Sequence, residues 1–498
     1  MKKMKFLTFL TIASLSFASF ADDFDSFGDF GSFDSGSSSS ESQNPLSIDG
    51  KSSFEIRSYI DKDDIDDVVM KAIPEAQINF KFNTQKTDSL INFKFNEEII
   101  KNHPEDILNE VVLSSYFDFV TVQTGKMKVV WGKGDKYHVI DNFNSDDYSD
   151  FIIPDYLERR RSTPMVKVDF NIPAGNMKFE TIYAPLLTVD NFATGGCWVP
   201  SQVKKLTDTV TSSAQSYVAK TFEAYTTAVK TSNDPIEIQN AATSYMLALN
   251  AANALSSNQD SIYPDLNTIK YGQFGGRLTG TIGSFDLGIS YYNGFYKQPS
   301  VDATKIESYL TKTMNGTATE EDKFLSYDRK QTFGIEAAKT IWRFNTRAEG
   351  AFNLTEDSDG TKTSVHNNSV AWLLGFDVDL PFWNANFNLQ ESGNYILNND
   401  EIDKNEYDIE YNENGYVSNK LILNFTTSFK NEKILPEITA IWGIENNDLA
   451  VIPKLSYKPD SALMFTAKGL YIYSDNENGE FYGWKDNSFV SFSVSYQF

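Results

Sequence analysis

Cysteine is nearly absent: Cys197 stands alone among 498 residues. That excludes an intrachain disulfide framework and any zinc site built on several cysteines. Histidine is almost as scarce, and His103, His138 and His366 sit singly in predicted loops, where each reads as an ordinary polar residue. Positive charge is short too, since 44 Lys and Arg face 68 Asp and Glu for a formal charge of −24. A general nucleic-acid binder needs the opposite balance. After residue 50 no apolar run reaches the roughly 18 residues of a membrane-spanning helix. The motifs G-x-S-x-G, H-E-x-x-H and C-x-x-C and the phosphate-binding P-loop are also missing. No catalytic residue, metal ligand or cofactor site is therefore expected, and a hydrolase built from the abundant carboxylates is a minor alternative.

What is present is apolar surface in a chain that is hydrophilic on average: 41% hydrophobic and 14% aromatic residues at a mean hydropathy of −0.37. Disorder along the whole chain is excluded. Lys2, Lys3 and Lys5 precede an apolar run from Phe6 to Phe17, with Ser19 and Ala21 as small residues beyond it. This reads as a secretory signal peptide over residues 1–21. Its removal would leave 41 basic against 68 acidic groups, a charge of −27. Residues 22–50 read as an acidic leader rich in Ser, Gly and Phe, too poor in aliphatic surface to fold alone. A plug domain does not fit into so short a segment.

From residue 51 onward the recurring signal is alternation with period 2. Ile78, Phe80 and Phe82 alternate with Asn79, Lys81 and Asn83, and I-N-F-K-F-N returns as Ile91 to Asn96 after a short polar turn. The chain closes in the same way, with Val490, Phe492, Val494, Tyr496 and Phe498 set against Ser491, Ser493, Ser495 and Gln497. Each strand thus has one apolar and one polar face. About eighteen such segments can be placed, sixteen if the weakest hairpin is dropped. The connections sort by parity: the eight after even-numbered strands are short, and those after odd-numbered strands are long except Glu445–Asn446–Asn447. A sandwich has no reason to sort its loops this way, whereas an up-and-down transmembrane barrel with both termini on one side does.

Two connections are unusually long. Within 185–269, Val203, Leu206, Val210, Ala214, Val218, Phe222, Tyr225 and Val229 recur at spacings of three and four, the mark of one helix face. Asp234 followed by Pro235 predicts the start of a second helix running to about Leu255. Together they make a helical hairpin over the barrel mouth or in it.

The connection 133–162, entered from Trp131, carries the most information. Trp131, Gly132, Asp135, Asp141, Asn144, Asp147, Tyr148, Pro154, Asp155, Arg159 and Arg160 stand at the spacing W-G-x-x-D, then D-x-x-N-P-x-D-Y, then P-D and a pair of arginines, with Ser145 in place of the Pro. Over about 35 residues it resembles a segment of bacterial porin-like outer-membrane barrels. The resemblance implies a porin-like outer-membrane barrel; from the strand number, an aqueous path wide enough for passive diffusion of small hydrophilic solutes is expected. A loop of this kind folded into a lumen can set a constriction with opposed charges. Candidate residues are Trp131, Asp135, Asp141, Asn144, Asp147, Tyr148, Asp155, Arg159, Arg160 and Arg161. Arg159 to Arg161 either face carboxylates across the narrowest point or pair within the loop and hold its shape. The alternative function is a surface adhesion or ligand-binding barrel that acts through its long loops. Expected partners are outer-membrane lipid, small solutes and, through the last strand ending at Phe498, the barrel-assembly machinery. Fractionation of the producing cell should put the chain in the outer membrane with heat-modifiable mobility on a gel; a mature chain soluble without detergent contradicts the barrel.

Overall fold

The alternation resolves into eighteen antiparallel strands. In a computed structural model, described for residues 45–60, 70–153, 155–173, 176–257, 262–362, 364–402, 416–477 and 479–498, the first nine are β1 Leu46–Tyr59, β2 Met70–Asn83, β3 Thr87–Asn96, β4 Leu108–Tyr116, β5 Val120–Met127, β6 Thr163–Ile172, β7 Met177–Ala184, β8 Gln273–Ile282 and β9 Phe285–Phe295. The rest are β10 Arg329–Ile341, β11 Phe344–Leu354, β12 Ser369–Asp379, β13 Asn386–Ile396, β14 Val417–Thr426, β15 Ile434–Gly443, β16 Asp448–Tyr457, β17 Leu463–Tyr473 and β18 Phe489–Gln497. Each pairs with its neighbours in sequence, and β1 pairs with β18 from Lys51↔Gln497 to Tyr59↔Phe489. The sheet is a closed barrel with no free edge. Every strand backbone therefore finds its partners within the ring, the condition for a sheet in a medium without water.

Side-chain parity follows the alternation. On β10, Ile335 is 65% exposed and points outward, while its neighbour Glu336 is 4% exposed and points inward. Phe54, Leu374 and Phe492 also face out, whereas Arg57, Glu180, Glu349, Gln390 and Asn424 are buried on the inner side. The connections after even strands form one end, the short-turn end, where Phe117, Phe119, Trp342, Phe382 and Trp383 are exposed. The long loops gather at the other end.

Two boundaries differ from the sequence reading. β1 begins at Leu46, so the last residues of the expected leader belong to the barrel; Asp49 takes an ion pair from Lys81 at 2.9 Å. Alternation in the sequence places a turn at 122–124 and a strand over 125–132; the turn lies instead at 117–119, and Gly125 is interior to β5. Gly125 has φ 134°, and a Cβ there would meet the Val111 carbonyl oxygen at 1.8 Å. The glycine permits close strand approach and marks no turn. As a result β5 ends at Met127, and Trp131, expected on a strand, lies beyond it. The signal-peptide segment, most of the leader and the charge run from Asp61 to Asp67 lie outside the described residues.

The helical hairpin is present as α1 Ser201–Thr231 and α2 Pro235–Ser257. Asp234 caps α2 by accepting the Ile236 N–H at 2.9 Å. Val210 and Ala214 pack with Ala248 and Ala251 and onto α3, Ile306–Met314, of the 296–328 loop. Beyond Val218 the expected stripe fails: Phe222 and Val229 are exposed and Ala228 is buried. The spacing from Val203 to Val229 averages slightly more than 3.6 residues, so the stripe drifts off the contact line over a helix this long. Replacing Ile335 by Arg should destabilise the barrel in lipid vesicles by about 2–4 kcal/mol, the cost of a cation on a lipid-facing midplane site; an unchanged denaturant midpoint contradicts the outward face assigned here.

Candidate functional site

The 128–162 loop starts and ends on adjacent strands, and one side chain ties its two ends together. Asn144 Oδ1 accepts the Val129 N–H at 2.8 Å. Its Nδ2 donates to the carbonyls of Met127 (3.0 Å) and Arg161 (2.9 Å) and to Thr163 Oγ1 (3.3 Å). An amide offers both donors and an acceptor, and this position uses all of them. Ser145–Tyr148 then runs antiparallel to Arg160–Arg161 and parallel to Asn191–Phe192.

From that base the loop folds into the lumen. Its apolar side, Trp131, Ile140 and Phe143, packs with Met165 of β6, Ile182 and Ala184 of β7, Tyr292 of β9 and Ala351 of β11. Trp131 Nε1 donates to Glu180 of β7. On β11, Glu349 accepts the N–H groups of Lys133 (2.6 Å), Gly134 (2.7 Å) and Val139 (2.9 Å) and meets His138 Nδ1 at 3.0 Å. Gln390 of β13 accepts the Lys136 N–H at 3.0 Å. Across the lumen Arg57 of β1, buried and stacked over Phe489 at 4.5 Å, forks onto both oxygens of Asp150 at 2.6 and 2.9 Å. Phe151 and Ile153 join Trp198, Phe481 and Phe489 in a second apolar cluster. Cys197 packs against this cluster as a lone thiol.

The candidate residues separate into two sets. Arg160 and Asp141 form a buried pair at 2.5 Å, with the Tyr156 hydroxyl donating to Asp141 at 2.6 Å. Arg161 pairs with Asp106 of the loop after β3 at 2.7 Å and donates to the Val189 carbonyl at 2.8 Å. Arg159 donates to the Ile152 carbonyl at 3.3 Å and lies 5.7 Å from the Tyr148 ring centre. Asp147 accepts from the Ser149 N–H and from Asn191 Nδ2, at 3.0 and 2.9 Å. Trp131, Asp141, Asn144, Asp147, Tyr148 and the three arginines thus hold the loop's shape. Of the two readings of the arginines, Arg160 follows the second, pairing within its own loop, whereas Arg161 pairs with a carboxylate of the loop after β3. Pro154 lies outside the described residues.

Asp135 and Asp155 form the second set, together with Lys136. Asp135 meets Arg347 of β11 at 2.5 Å, and Arg347 reaches Asp377 of β12 at 2.7 Å. Lys136 lies 3.5 Å from Asp155 and 4.0 Å from Glu437 of β15, which pairs with Lys454 of β16 at 3.1 Å. Asp155 loses hydration, yet Lys136 and Lys454 hold its carboxyl below the usual range. Asp135 goes the other way, raised by burial despite Arg347. These groups are half-buried or exposed on the side of the loop away from its apolar packing.

The wall partners Glu180, Glu349, Arg347, Gln390 and Arg57 were not singled out by sequence. Alternation shows that each points inward, but nothing local says which loop will reach it. Ser300, Asp328 and His366 also meet, and they are the residue types of a hydrolase. Ser300 Oγ and Asp328 Oδ2 both contact the same His366 nitrogen, Nδ1, at 2.9 and 2.7 Å, and Ser300 is fully buried. A catalytic histidine uses its two nitrogens for the two partners. This trio pins the 296–328 loop to the 355–368 loop.

No family model matches the chain, and no curated protein does. Solved structures similar to it include mutant forms of the porin of Rhodopseudomonas blastica. Two have TM-scores of 0.37 and 0.38 at 10% identity, each comparison covering 91% of this chain and 100% of the porin. A triple mutant of the same porin scores 0.37 at the same identity and coverage. With scores below 0.5, the functional reading rests on the chain's own geometry.

Asp190 supplies a pH-dependent element at the loop's base. It accepts the Asp146 N–H at 3.0 Å, and burial pushes its carboxyl up to about 6. A carboxyl raised by folding stabilises most when protonated, so its contribution is full below the unfolded value near 4 and is lost as pH rises through about 6. The denaturant midpoint should therefore fall between pH 5 and pH 7, and Asp190→Asn should flatten that slope; an unaltered slope rejects the assignment.

Proposed function

We propose that this chain is a porin-like channel of the bacterial outer membrane, passing small hydrophilic solutes by diffusion. The observation that carries the reading is the 128–162 loop, which leaves the wall between β5 and β6 and makes polar contacts with β1, β7, β11 and β13 inside the lumen. A ring of eighteen strands is wider than its own side chains can fill, so an inward loop decides what space remains. One apolar cluster of the loop closes the side toward β6–β11, and the second packs toward β1 and β16–β18. On this reading the passage lies between the two, lined by Asp135, Lys136 and Asp155 of the loop and by Arg347, Asp377, Glu437 and Lys454 of the wall. Mixed charges in alternation bind neither sign of ion strongly, and the acidic balance of the chain gives a modest preference for cations. The similarity of the Trp131-to-Arg160 motif to porin-like barrels agrees with this role.

A second reading, a surface-binding barrel, is favoured by one feature. Near the far end of the helical hairpin Phe222, Val229, Ile236 and Met246 are exposed. Protease shaving of intact cells tests it by showing whether that hairpin is accessible outside.

The channel reading is tested in planar bilayers. The purified barrel should conduct, and Asp135→Asn with Asp155→Asn should move the reversal potential in a salt gradient toward anion preference. Arg160→Ala should instead loosen the loop and raise open-channel noise. A folded, heat-modifiable barrel that never opens rejects the channel.

A further inference from the structure

Between Trp131 and Ile140, both fully buried, the loop has no buried apolar side chain. Residues 132–139 are held mainly by polar contacts with the wall, with Val139 also packed, partly buried, against the loop's apolar cluster, and one carboxylate takes most of the polar contacts. Glu349 Oε1 accepts two successive N–H groups, from Lys133 and Gly134, and lies against His138 Nδ1. Its Oε2 accepts the Val139 N–H from the far side of the bight. The chain wraps the carboxylate as a backbone nest wraps an anion. Gly132, at φ 125°, is what lets it close: a Cβ there would lie 2.4 Å from Glu349 Oε1 and 2.5 Å from His138 Nδ1. The remaining holds are spread over several partners: the Gln390 side-chain carbonyl on the Lys136 N–H, Arg347 and Asn388 on Asp135, the Lys136 pairs with Asp155 and Glu437, and the His138 ring against Tyr156.

The charged surroundings make Glu349 the group assigned to this task. Glu336, directly opposite it on β10, is already engaged by Arg277 at 2.7 and 2.8 Å. Arg347, two residues away on β11, is shared by Asp135 and Asp377. His138 and the loop's N–H groups are left as the donors that face Glu349.

Resting on the channel reading, we propose that Glu349 is the positioning residue of the pore: residues 132–139 form a flap hinged between the apolar anchors Trp131 and Ile140, and the Glu349 carboxylate latches it in the lumen. The flap carries Asp135 and Lys136, so the latch sets the charge lining of the passage. Without the negative charge and the second acceptor oxygen the three N–H groups lose their shared anionic acceptor, and the flap detaches as a unit while its anchors stay packed.

The test uses the full chain with Cys197→Ser and Val139→Cys, labelled by a small methanethiosulfonate, in parallel with single-channel recording. Glu349→Gln should raise the labelling rate about tenfold or more, as expected from losing hydrogen bonds to a charged acceptor. It should also add conductance levels or brief closures absent from the parent. Glu349→Asp, which keeps the charge, should bring both readouts back toward the parent, whereas a purely space-filling role would favour Gln over Asp. Equal labelling rates and equal dwell times in Glu349→Gln, with heat-modifiability intact, overturn the latch. If the parent never conducts but labelling still rises in Glu349→Gln, the channel reading fails and the latch stands.

Discussion

Pairing of β1 with β18 is the contact on which the rest of the molecule depends. It removes the last unpaired strand edges, and it fixes the circumference at eighteen strands. That circumference sets the next requirement, because a ring of this size leaves an interior too wide for inward side chains to meet. Polar inward residues such as Glu349, Glu180 and Arg57 would otherwise meet only water and their neighbours on the wall. Instead they become attachment points for a loop, which packs against the wall on two sides and leaves charged groups between them.

This arrangement explains how so acidic a chain tolerates its own charge. Buried cations such as Arg57, Arg160 and Arg277 each sit against a carboxylate at 2.5 to 2.7 Å, and Glu349 is covered by N–H groups and His138. A buried ion pair adds little net stability, but losing one partner is costly. These pairs therefore act mainly to specify geometry. The charges left half-exposed, Asp135, Asp155, Lys136 and Lys454, are the ones available to a passing solute.

Much of this was legible in the sequence, for a physical reason. Side chains in a strand alternate strictly, so Phe492 against Ser493 or Ile335 against Glu336 announces both the strand and its faces, and loop parity turns the set into a ring. The hairpin was legible because Asp234 and Pro235 mark a helix start by local chemistry alone. Three things were not. Gly125 looks like a turn residue, yet it serves a close approach between strands that only pairing reveals. The end of the α1 stripe depends on what packs against it, and the sequence carries no such information beyond Val218. The roles of Arg159 to Arg161 needed their partners: Asp106 and Val189 come from other loops, and no local spacing points to them. The wall residues that hold the loop were missed for the same reason, since contacts across 49 to 254 positions leave no periodic trace.

Asn144 joins the last residue of one strand to the first of the next, so the loop leaves and re-enters the wall through a single gap. Whatever happens within 128–162 is mechanically separate from the register of the barrel. Insertions or substitutions there redraw the interior without disturbing a ladder hydrogen bond, as a key is recut without changing the lock's housing. The wall can stay constant while the passage is retuned, and selection can act on permeability and on folding almost independently.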